Sequence, residues 1–286
     1  MLRDLPARFL VFCLTLISMM PFWALFVLSD ILFFILFYIL KYRKAVVDDN
    51  LRNSFPNKTV AERDFIAKQY FMYLADLIVE TIKMISISAK EAQKRFNILN
   101  PDLLQHYVGQ NRNVCVVAGH YCNWEMANVV GFCTDKKKLV IYKPLTNKIL
   151  DEFLNGVRSK FSVLMIPMKG ILRKMVELRN ESSISFYLSD QTPVRHETKY
   201  YTNFLNQNTA VFLGVEKIAK TTNSVVVFCK VKLVKRGYYT CEFVPLVEEP
   251  QLTKEFEITQ LHVRYLENII NNTPQYWLWS HKRWKF

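Results

Sequence analysis

The chain lacks the cysteine spacing that marks zinc sites and redox motifs. It contains six cysteines among 286 residues, and no two of them are spaced as C-x-x-C. A site built from Cys115, His120 and Cys122 has the wrong spacing for zinc and lacks a second ligand pair. Most of the cysteines lie in apolar runs, which indicates buried, reduced thiols in a domain that faces the cytosol. We therefore predict no metal and no other cofactor.

A nucleophilic serine elbow and a signal-peptide cleavage site are also missing. No G-x-S-x-G motif is present, so a covalent acyl-serine intermediate is not expected. No small-x-small site follows the apolar N-terminal segment, which is too long for a secretory leader. Low-complexity runs and internal repeats are absent as well. Residues of hydrophobic type make up 51% of the chain, which excludes disorder and fits one large domain with an appendage.

The N-terminal appendage is apolar enough to enter a membrane. Residues 9–28 carry no charge, and about twenty residues of helix measure about 30 Å, the thickness of a bilayer core. Residues 31–40 form a second apolar run that is too short to span alone. Pro21 can kink the segment, so a tilted span and a bent, half-inserted hairpin are both open. We predict a membrane anchor with a basic flank over residues 1–44 and a cytoplasmic-facing domain over residues 45–286.

The charge of the chain is strongly unbalanced, with a formal net charge of +13. Residues 1–40 hold equal numbers of cations and anions, so the whole excess follows them. The cluster "KYRK" at 41–44 predicts that the C-terminal side of the anchor faces the cytoplasm, and it suits anionic headgroups. Such a domain attracts anionic lipid, an acidic protein or nucleic acid. Nucleic acid is the least favoured, because the membrane segment and its basic flank already explain the charge.

Apolar runs alternate with amphipathic stretches after residue 100. Strands that alternate with helices predict an α/β fold with a mixed, mostly parallel sheet flanked by helices, and sites in such sheets lie at the carboxyl ends of strands. An earlier amphipathic helix is predicted over residues 59–85, with Thr59 as its N-cap. The predicted strands cover residues 114–118, 138–142, 163–167, 183–188, 224–234 and 238–246, and the later helices begin at about 123 or cover 147–160, 170–179, 210–221 and 252–272.

One predicted strand ends in a histidine that a glutamate follows. In "VCVVAGHYCNWEM", residues 114–126, His120 lies on a turn and Glu125 falls in the first turn of the predicted helix. A loop histidine can fold back onto such a carboxylate, which would hold one ring nitrogen and leave the other as a base. The alternative is a capped βα turn in which Glu125 favours the helix dipole. A second pair at this spacing, His262 and Glu267, lies in a predicted helix, points in two directions, and is interpreted as surface.

Three further stretches carry polar side chains at positions that suit a site. Arg158 stands among apolar positions near a helix end, where it would face inward or compensate the helix dipole. Asp190 follows the strand in "SFYLSD", as a site residue or a turn former. The tail "PQYWLWSHKRWKF" interleaves tryptophans with cations. That pattern suits nucleic-acid stacking, but beside a membrane segment it favours a packed tail or a lipid-facing edge.

These stretches, in this order, resemble the late (secondary) acyltransferases of lipid A biosynthesis, of lauroyl or myristoyl type, within the lysophospholipid acyltransferase superfamily. The resemblance covers nearly the whole chain and rests on "GHYCNWE", "YKPLTNKILDEFLNGVRSKF", "YLSDQTP", "NTAVFLGVEKIAK" and "PQYWLWSHKRWK". The chain departs from the family at Lys143, where an arginine with its bidentate fork is usual, and around Phe204, where a glycine is common. The resemblance implies a glycerol-phosphate-acyltransferase-like fold, His120 and Glu125 as the catalytic pair, and substrate-binding residues at Arg158, Asp190, Lys143, Asn123 and Arg283.

The motif and the resemblance together imply acyl transfer to a hydroxyl. His120 would remove the hydroxyl proton as the oxygen attacks a thioester, while Glu125 holds the imidazole tautomer. Backbone N–H groups near residue 123, or Arg158, would stabilise the oxyanion. The side chains of Arg158, Lys143 and Arg283 suit substrate phosphates. Asp190 would order Arg158 or its loop.

The implied partners are lipids and an acidic protein. The donor would be an acyl-acyl carrier protein, which a domain of this charge attracts. The acceptor would be a hydroxyl of a phosphorylated glucosamine lipid, reached from the cytoplasmic face of the bacterial inner membrane. Two alternatives stay open: an acyltransferase for another anionic lipid, such as a lysophospholipid or acylated glycolipid, and a non-catalytic membrane protein that binds anionic lipid. Hydrolysis by His120 and water would be a side reaction.

Overall fold

Seven strands form one mixed sheet in a computed structural model that describes residues 4–194 and 200–285. The order is β1-β9-β8-β2-β5-β3-β4, and β6 and β7 pair as a separate antiparallel hairpin. The strands are β1 (Phe96–Ile98), β2 (Val114–Ala118), β3 (Lys137–Tyr142), β4 (Leu164–Pro167), β5 (Ser183–Leu188), β6 (Tyr201–Phe204), β7 (Gln207–Ala210), β8 (Val225–Lys235) and β9 (Tyr238–Val247). The helices are α1 (Leu5–Ser18), α2 (Phe22–Phe34), α3 (Lys44–Ser54), α4 (Val60–Lys83), α5 (Ala89–Arg95), α6 (Asp102–Gly109), α7 (Lys148–Arg158), α8 (Ile171–Glu177), α9 (Gly214–Thr222) and α10 (Glu257–Asn272).

The sheet confirms the predicted α/β class. Its described pairs are parallel except for β8 with β9, which form an antiparallel hairpin. The first four residues of β2 are fully buried, as expected for an unbroken apolar strand inside a parallel sheet. β5 lies between β2 and β3, so the order of strands in the sheet differs from their order in the chain. This insertion brings the ends of β2 and β5 together.

Several element boundaries differ from the sequence prediction, among them the start of α10, which is Glu257 rather than 252. The helix expected from about 123 is a 3₁₀ helix over Met126–Phe132, because the preceding residues form a turn in which the Asn123 Oδ1 accepts from the Met126 N–H at 2.9 Å. The helix expected from 210 begins at Gly214, because β7 occupies the chain up to Ala210. The long helix α4 begins as predicted, with a capping box between Thr59 and Glu62.

The apolar N-terminal segment is broken where Pro21 interrupts it. α1 ends at Ser18 and α2 begins at Phe22, with Pro21 in an extended conformation between them. Lys83 Nζ donates to the Ser18 carbonyl at 2.8 Å and to the Met20 carbonyl at 2.9 Å, which fixes the break to the end of α4. The predicted charge-free span over residues 9–28 is therefore not one helix.

The helix long and apolar enough to cross a membrane, among the described residues, is Phe22–Ile39 instead. It consists of α2 and a π-helical end over Ile35–Ile39. Only 17% of it is buried, whereas the core helix of a soluble protein would be mostly buried. The candidate membrane span thus lies 13 residues further along the chain at its start than the one predicted from residue 9.

Polar bonds attach α2 to the domain midway along its length. Ser29 Oγ donates to Asp76 Oδ1 of α4 at 2.6 Å. Arg236, at the turn between β8 and β9, pairs with Asp30 at 2.6 Å and with Asp76 at 2.6 Å. The next residue, Gly237, has φ +75°, and a Cβ there would meet an aromatic ring of α2 at 2.7 Å. α2 is consequently packed and ion-paired against the domain.

Candidate active site

His120 and Asp190 meet because their strands are parallel neighbours. β2 and β5 pair in register to their last residues, and each of the two side chains lies two positions beyond its strand. Gly119 allows the turns to approach, since a Cβ there would lie 2.7 Å from Leu266 Cδ2 and 3.3 Å from Asp190 Oδ2. His120 is therefore placed at the carboxyl edge of the sheet, as predicted, with Asp190 beside it.

The Asp190 carboxylate holds the imidazole by one edge. Its Oδ1 lies 2.6 Å from His120 Nδ1, and its Oδ2 accepts from the His120 main-chain N–H at 2.8 Å. The Trp277 indole N–H donates to the same Oδ2 at 2.8 Å. Burial alone would raise the pKa of Asp190, but the charge of His120 and these hydrogen bonds outweigh it and lower the pKa to about 2. Asp190 is therefore ionised at neutral pH.

The second ring nitrogen of His120 faces replaceable neighbours. A neutral imidazole that donates from Nδ1 to Asp190 has its lone pair at Nε2. The side-chain amide of Gln191 lies 3.2 Å from that nitrogen, and the ring of Trp124 stands edge-on with its centroid 5.0 Å from the imidazole. A substrate hydroxyl that displaces the Gln191 amide would meet a base with an oriented lone pair.

Glu125 pairs with Arg158, which corrects the prediction that Glu125 orients His120. Arg158 Nε donates to one Glu125 oxygen at 2.9 Å and Nη2 to the other at 2.6 Å. The reason is positional: Glu125 directly precedes the 3₁₀ helix that lies beside the C-terminal end of α7, whereas His120 turns toward β5. Asp190, predicted to order Arg158 or its loop, occupies the place at the imidazole.

An apolar cleft of about 90 Å³ opens beside the Glu125–Arg158 pair. α7 has no buried residue along its length, so the core does not fill its apolar face. Apolar walls that end in a charged pair suit an amphipathic ligand. The apolar walls come from α1, the end of α4 and α7, through Leu14, Thr81, Ile82, Met84, Ile85, Phe153, Leu154 and Val157.

Asn123, predicted to bind substrate, is fully buried and supports the catalytic turn instead. Its Nδ2 donates to Glu80 Oε2 at 2.6 Å, while its Oδ1 caps the 3₁₀ helix. The Tyr239 hydroxyl donates to the same Glu80 oxygen at 2.7 Å. Burial raises the pKa of Glu80 to about 7, and the two hydrogen bonds offset only part of that effect. The turn from His120 to Glu125 thus rests on a buried carboxyl group of α4.

The two other predicted phosphate ligands differ in exposure. Lys143 follows β3 and is exposed at the edge of the sheet that carries His120. Arg283 is 2% exposed and donates to the Ala210 carbonyl, and its Nε and Nη1 have no partner among the residues that the structure describes. Its burial shields it from solvent, and its predicted role in substrate binding stays a prediction. His262, interpreted as surface, is buried beside Arg283 in one small cavity, and burial lowers the pKa of His262 to about 4.

Comparison with known proteins points to one family. The family described as "Bacterial lipid A biosynthesis acyltransferase" matches residues 2–286. The chain is similar to the lipid A biosynthesis palmitoleoyltransferase of Escherichia coli (strain K12), with 24% identity over 249 residues that cover 86% of this chain and 80% of that protein. It is also similar to the lipid A biosynthesis acyltransferase of Haemophilus influenzae (strain ATCC 51907 / DSM 11121 / KW20 / Rd), with 19% identity over 244 residues, 84% of this chain and 74% of that protein.

Proposed function

The chain belongs to the bacterial lipid A biosynthesis acyltransferases, and from that premise we propose how its site transfers an acyl group. The proposed reaction moves a fatty acyl chain from an acyl-acyl carrier protein to a hydroxyl of a lipid A precursor. His120 is the general base and Asp190 is the carboxylate that orients it. The observation that carries this assignment is the 2.6 Å contact between His120 Nδ1 and Asp190 Oδ1, which leaves Nε2 to take a proton.

The proposed step needs no covalent enzyme intermediate. The acceptor hydroxyl gives its proton to His120 Nε2 as its oxygen forms a bond to the thioester carbonyl carbon. The carbon–sulfur bond then breaks, and the proton passes from Nε2 to the leaving sulfur, which departs as the carrier thiol. Asp190 stabilises the imidazolium between the two transfers, because it is buried and ionised.

Arg158 is the proposed donor to the oxyanion, with Glu125 as the residue that positions it. The N–H groups of Met126 and Ala127, at the start of the 3₁₀ helix, already donate to the side chain of Asn123 and the carbonyl of Trp124. Glu125 engages Nε and Nη2 of Arg158, which leaves Nη1 as a charged donor. Charge-assisted donors of fixed geometry give the largest stabilisation of such an oxyanion.

The apolar cleft and Lys143 are the proposed substrate contacts. The acyl chain would lie in the cleft, whose charged end is the Glu125–Arg158 pair. Lys143 would bind a phosphate of the acceptor as a point charge, because it is exposed at the carboxyl edge of the sheet. The donor would be drawn by the excess positive charge of the domain.

Residues 1–44 are the proposed anchor to the cytoplasmic face of the inner membrane. Large apolar side chains of α2 are exposed at helical spacing, on Trp23, Val27, Ile31 and Phe34. The cations at 41–44 follow the helix directly and favour the cytoplasmic side. Extraction of membranes with alkaline carbonate tests the anchor: the chain should remain with the lipid and require detergent for release, whereas recovery in the carbonate supernatant would refute it.

The test of the proposed reaction uses the full chain in detergent with an acyl-acyl carrier protein and a tetra-acylated lipid A precursor. Wild type should add one acyl chain by mass, and His120→Ala should lose about 10²- to 10⁴-fold in rate. The matched control is His106→Ala, an exposed histidine away from the site, which should keep full activity. Equal activity in wild type and His120→Ala would refute the assignment of the base.

Two further variants separate the roles of the carboxylates. Asp190→Asn should slow transfer and change its pH dependence, because Asp190 bonds the imidazole. Glu125→Gln should slow transfer without moving the pH profile, because Glu125 bonds Arg158. The reverse pattern would return the orienting role to Glu125. Parallel reactions contain a lysophospholipid, or water alone, in place of the lipid A precursor. Transfer to the lysophospholipid alone would identify a different acceptor. Lipid binding without transfer to any acceptor would favour a non-catalytic lipid-binding protein.

A further inference from the structure

The C-terminal tail supports the catalytic turn through main-chain bonds. Residues 276–278 form an antiparallel bridge with the turn, in which Cys122 N–H donates to the Tyr276 carbonyl at 3.0 Å and Leu278 N–H to the His120 carbonyl at 3.1 Å. Cys122 has φ +52°, a left-handed backbone conformation that residues other than glycine rarely adopt. Such a conformation persists where its surroundings determine it. The shape of the turn after His120 therefore depends on the tail.

Trp277 connects the same tail to the carboxylate behind the base. Its side chain is 2% exposed, and its Nε1–H donates to Asp190 Oδ2 at 2.8 Å. That oxygen also accepts from the His120 main chain, and the other oxygen holds the imidazole Nδ1. An indole N–H is a donor only and keeps its proton at any pH. Trp277 therefore fixes the rotation of the Asp190 carboxylate without competing for a proton.

We propose that Trp277 is a positioning residue for acyl transfer: its indole N–H holds Asp190 in the orientation that directs His120 Nε2 toward the acceptor hydroxyl. This inference rests on the proposed function of His120 and Asp190. Without the indole N–H, Asp190 Oδ2 keeps one of its two donors and the carboxylate can turn away from the imidazole. Trp277 is then a part of the catalytic arrangement, although it does not itself touch the substrate.

Trp279 provides a matched control within the same tail. It is also fully buried, and its Nε1–H donates to the Pro274 carbonyl at 2.6 Å. It packs edge-on against Trp277 with ring centroids 4.7 Å apart, but it bonds neither Asp190 nor His120. Trp277→Phe and Trp279→Phe each remove one indole N–H and the same volume, so they differ in the contact with Asp190.

The first experiment compares both variants as full chains in detergent. Trp277→Phe should lower kcat about 10- to 100-fold, a range typical of residues that orient a functional group, and leave KM within twofold. It should also move the acidic limb of the pH profile downward, because a carboxylate that turns away from the imidazole stabilises the imidazolium less. Trp279→Phe should keep kcat and the profile. Equal losses for the two variants, or an unmoved profile for Trp277→Phe, would overturn the proposal.

A double-mutant cycle tests whether Trp277 acts through Asp190. In the Asp190→Asn background, Trp277→Phe should change the rate less than twofold, because the orienting carboxylate is already gone. Multiplicative losses would mean that Trp277 acts independently and would overturn the positioning role.

A measurement on wild type keeps the test valid if Trp277→Phe does not fold. In ¹⁵N-labelled protein, the Trp277 indole N–H signal should shift through the titration of His120, while the Trp279 signal stays constant. An indole signal of Trp277 that does not follow His120 would refute the coupling. The titration needs no turnover, so a wild type inactive toward every acceptor would refute the proposed function while the titration still decides the contact.

Discussion

Replacement of Glu80 by glutamine should remove a pH dependence of folding stability that the structure assigns to one buried carboxyl group. Glu80 lies in α4, and its Oε2 accepts from Asn123 and Tyr239, while its Oε1 has no partner within residues 4–194 and 200–285. Burial raises the pKa of this group from 4.5 to about 7. The unfolded chain therefore releases the proton near pH 4.5, whereas the folded chain keeps it until about pH 7. Between these values the unfolded state binds fewer protons, so the free energy of unfolding falls as pH rises.

The size of the effect follows from the two pKa values. They differ by about 2.5, and at about 1.4 kcal/mol for each pKa unit the loss is about 3 kcal/mol between pH 4.5 and pH 8. Glu80→Gln has no proton to lose, and its amide oxygen can accept from both Asn123 and Tyr239. The variant should therefore gain about 3 kcal/mol relative to wild type over that pH range, whatever their difference at pH 4.5.

Urea unfolding in detergent, followed by tryptophan fluorescence at half-unit pH steps, measures this difference. Glu152→Gln, a change at an exposed position of α7, is the control and should run parallel to wild type. Parallel curves for wild type and Glu80→Gln would show that Glu80 does not keep its proton in the folded state. The reasoning from burial would then be wrong.

Three further predictions concern the cleft, the cations and two glycines. Lys143→Ala should raise the KM for a phosphorylated acceptor about tenfold, which corresponds to about 1.4 kcal/mol of binding free energy. Arg283→Met should leave this KM within twofold. Steady-state kinetics measure both values, and a rise in KM for both variants would identify Arg283 as a ligand too. Leu154→Trp should narrow the cleft and shift the preference toward donors with shorter acyl chains by about tenfold in kcat/KM. Mass spectrometry of the products from mixed donors measures this preference. An unchanged product distribution would mean that the acyl chain binds outside the cleft. Gly131→Ala should destabilise the protein by about 3 kcal/mol or more, because the added Cβ would lie 1.8 Å from a main-chain carbonyl oxygen. Gly156→Ala should stabilise α7 by about 0.5–1 kcal/mol, because its Cβ would meet nothing within 4 Å. Similar urea midpoints for the two variants would contradict this packing.

The sequence predicted the position of His120 but not its partner. A run of buried apolar residues that ends in Gly-His is visible in one dimension, and so is Asp190 at the end of another such run. Their contact depends on β5 lying beside β2, and a chain-order reading would place β3 there. The four-residue gap between His120 and Glu125 suggested a local pair, whereas the pairing across two strands is non-local.

Of two residues that support the site, Glu80 has a recognisable sequence signal and Trp277 does not. Glu80 lies three residues after Leu77 and four before Met84, both buried on one side of α4. A carboxylate on the apolar face of a helix needs buried hydrogen-bond donors. The three- and four-residue spacing from buried apolar residues therefore identifies Glu80 as a buried carboxyl group. The sequence gives no sign of the polar role of Trp277, because hydrophobic packing by itself explains a tryptophan in a buried tail. Its bond to Asp190 is a matter of indole orientation, which spacing does not encode.

The ion pair midway along the helix Phe22–Ile39 limits how freely the domain can move relative to that helix. Asp30 lies eight residues from Phe22 and nine from Ile39, about 13 Å from either end of the helix. Arg236 and Asp76 of the domain are bonded at that point, so the domain cannot swing on the helix as it would on a flexible tether. A helix that carries a folded domain at its midpoint cannot stand across the hydrocarbon with lipid on every side. The domain and this helix are therefore expected to move together as one rigid unit.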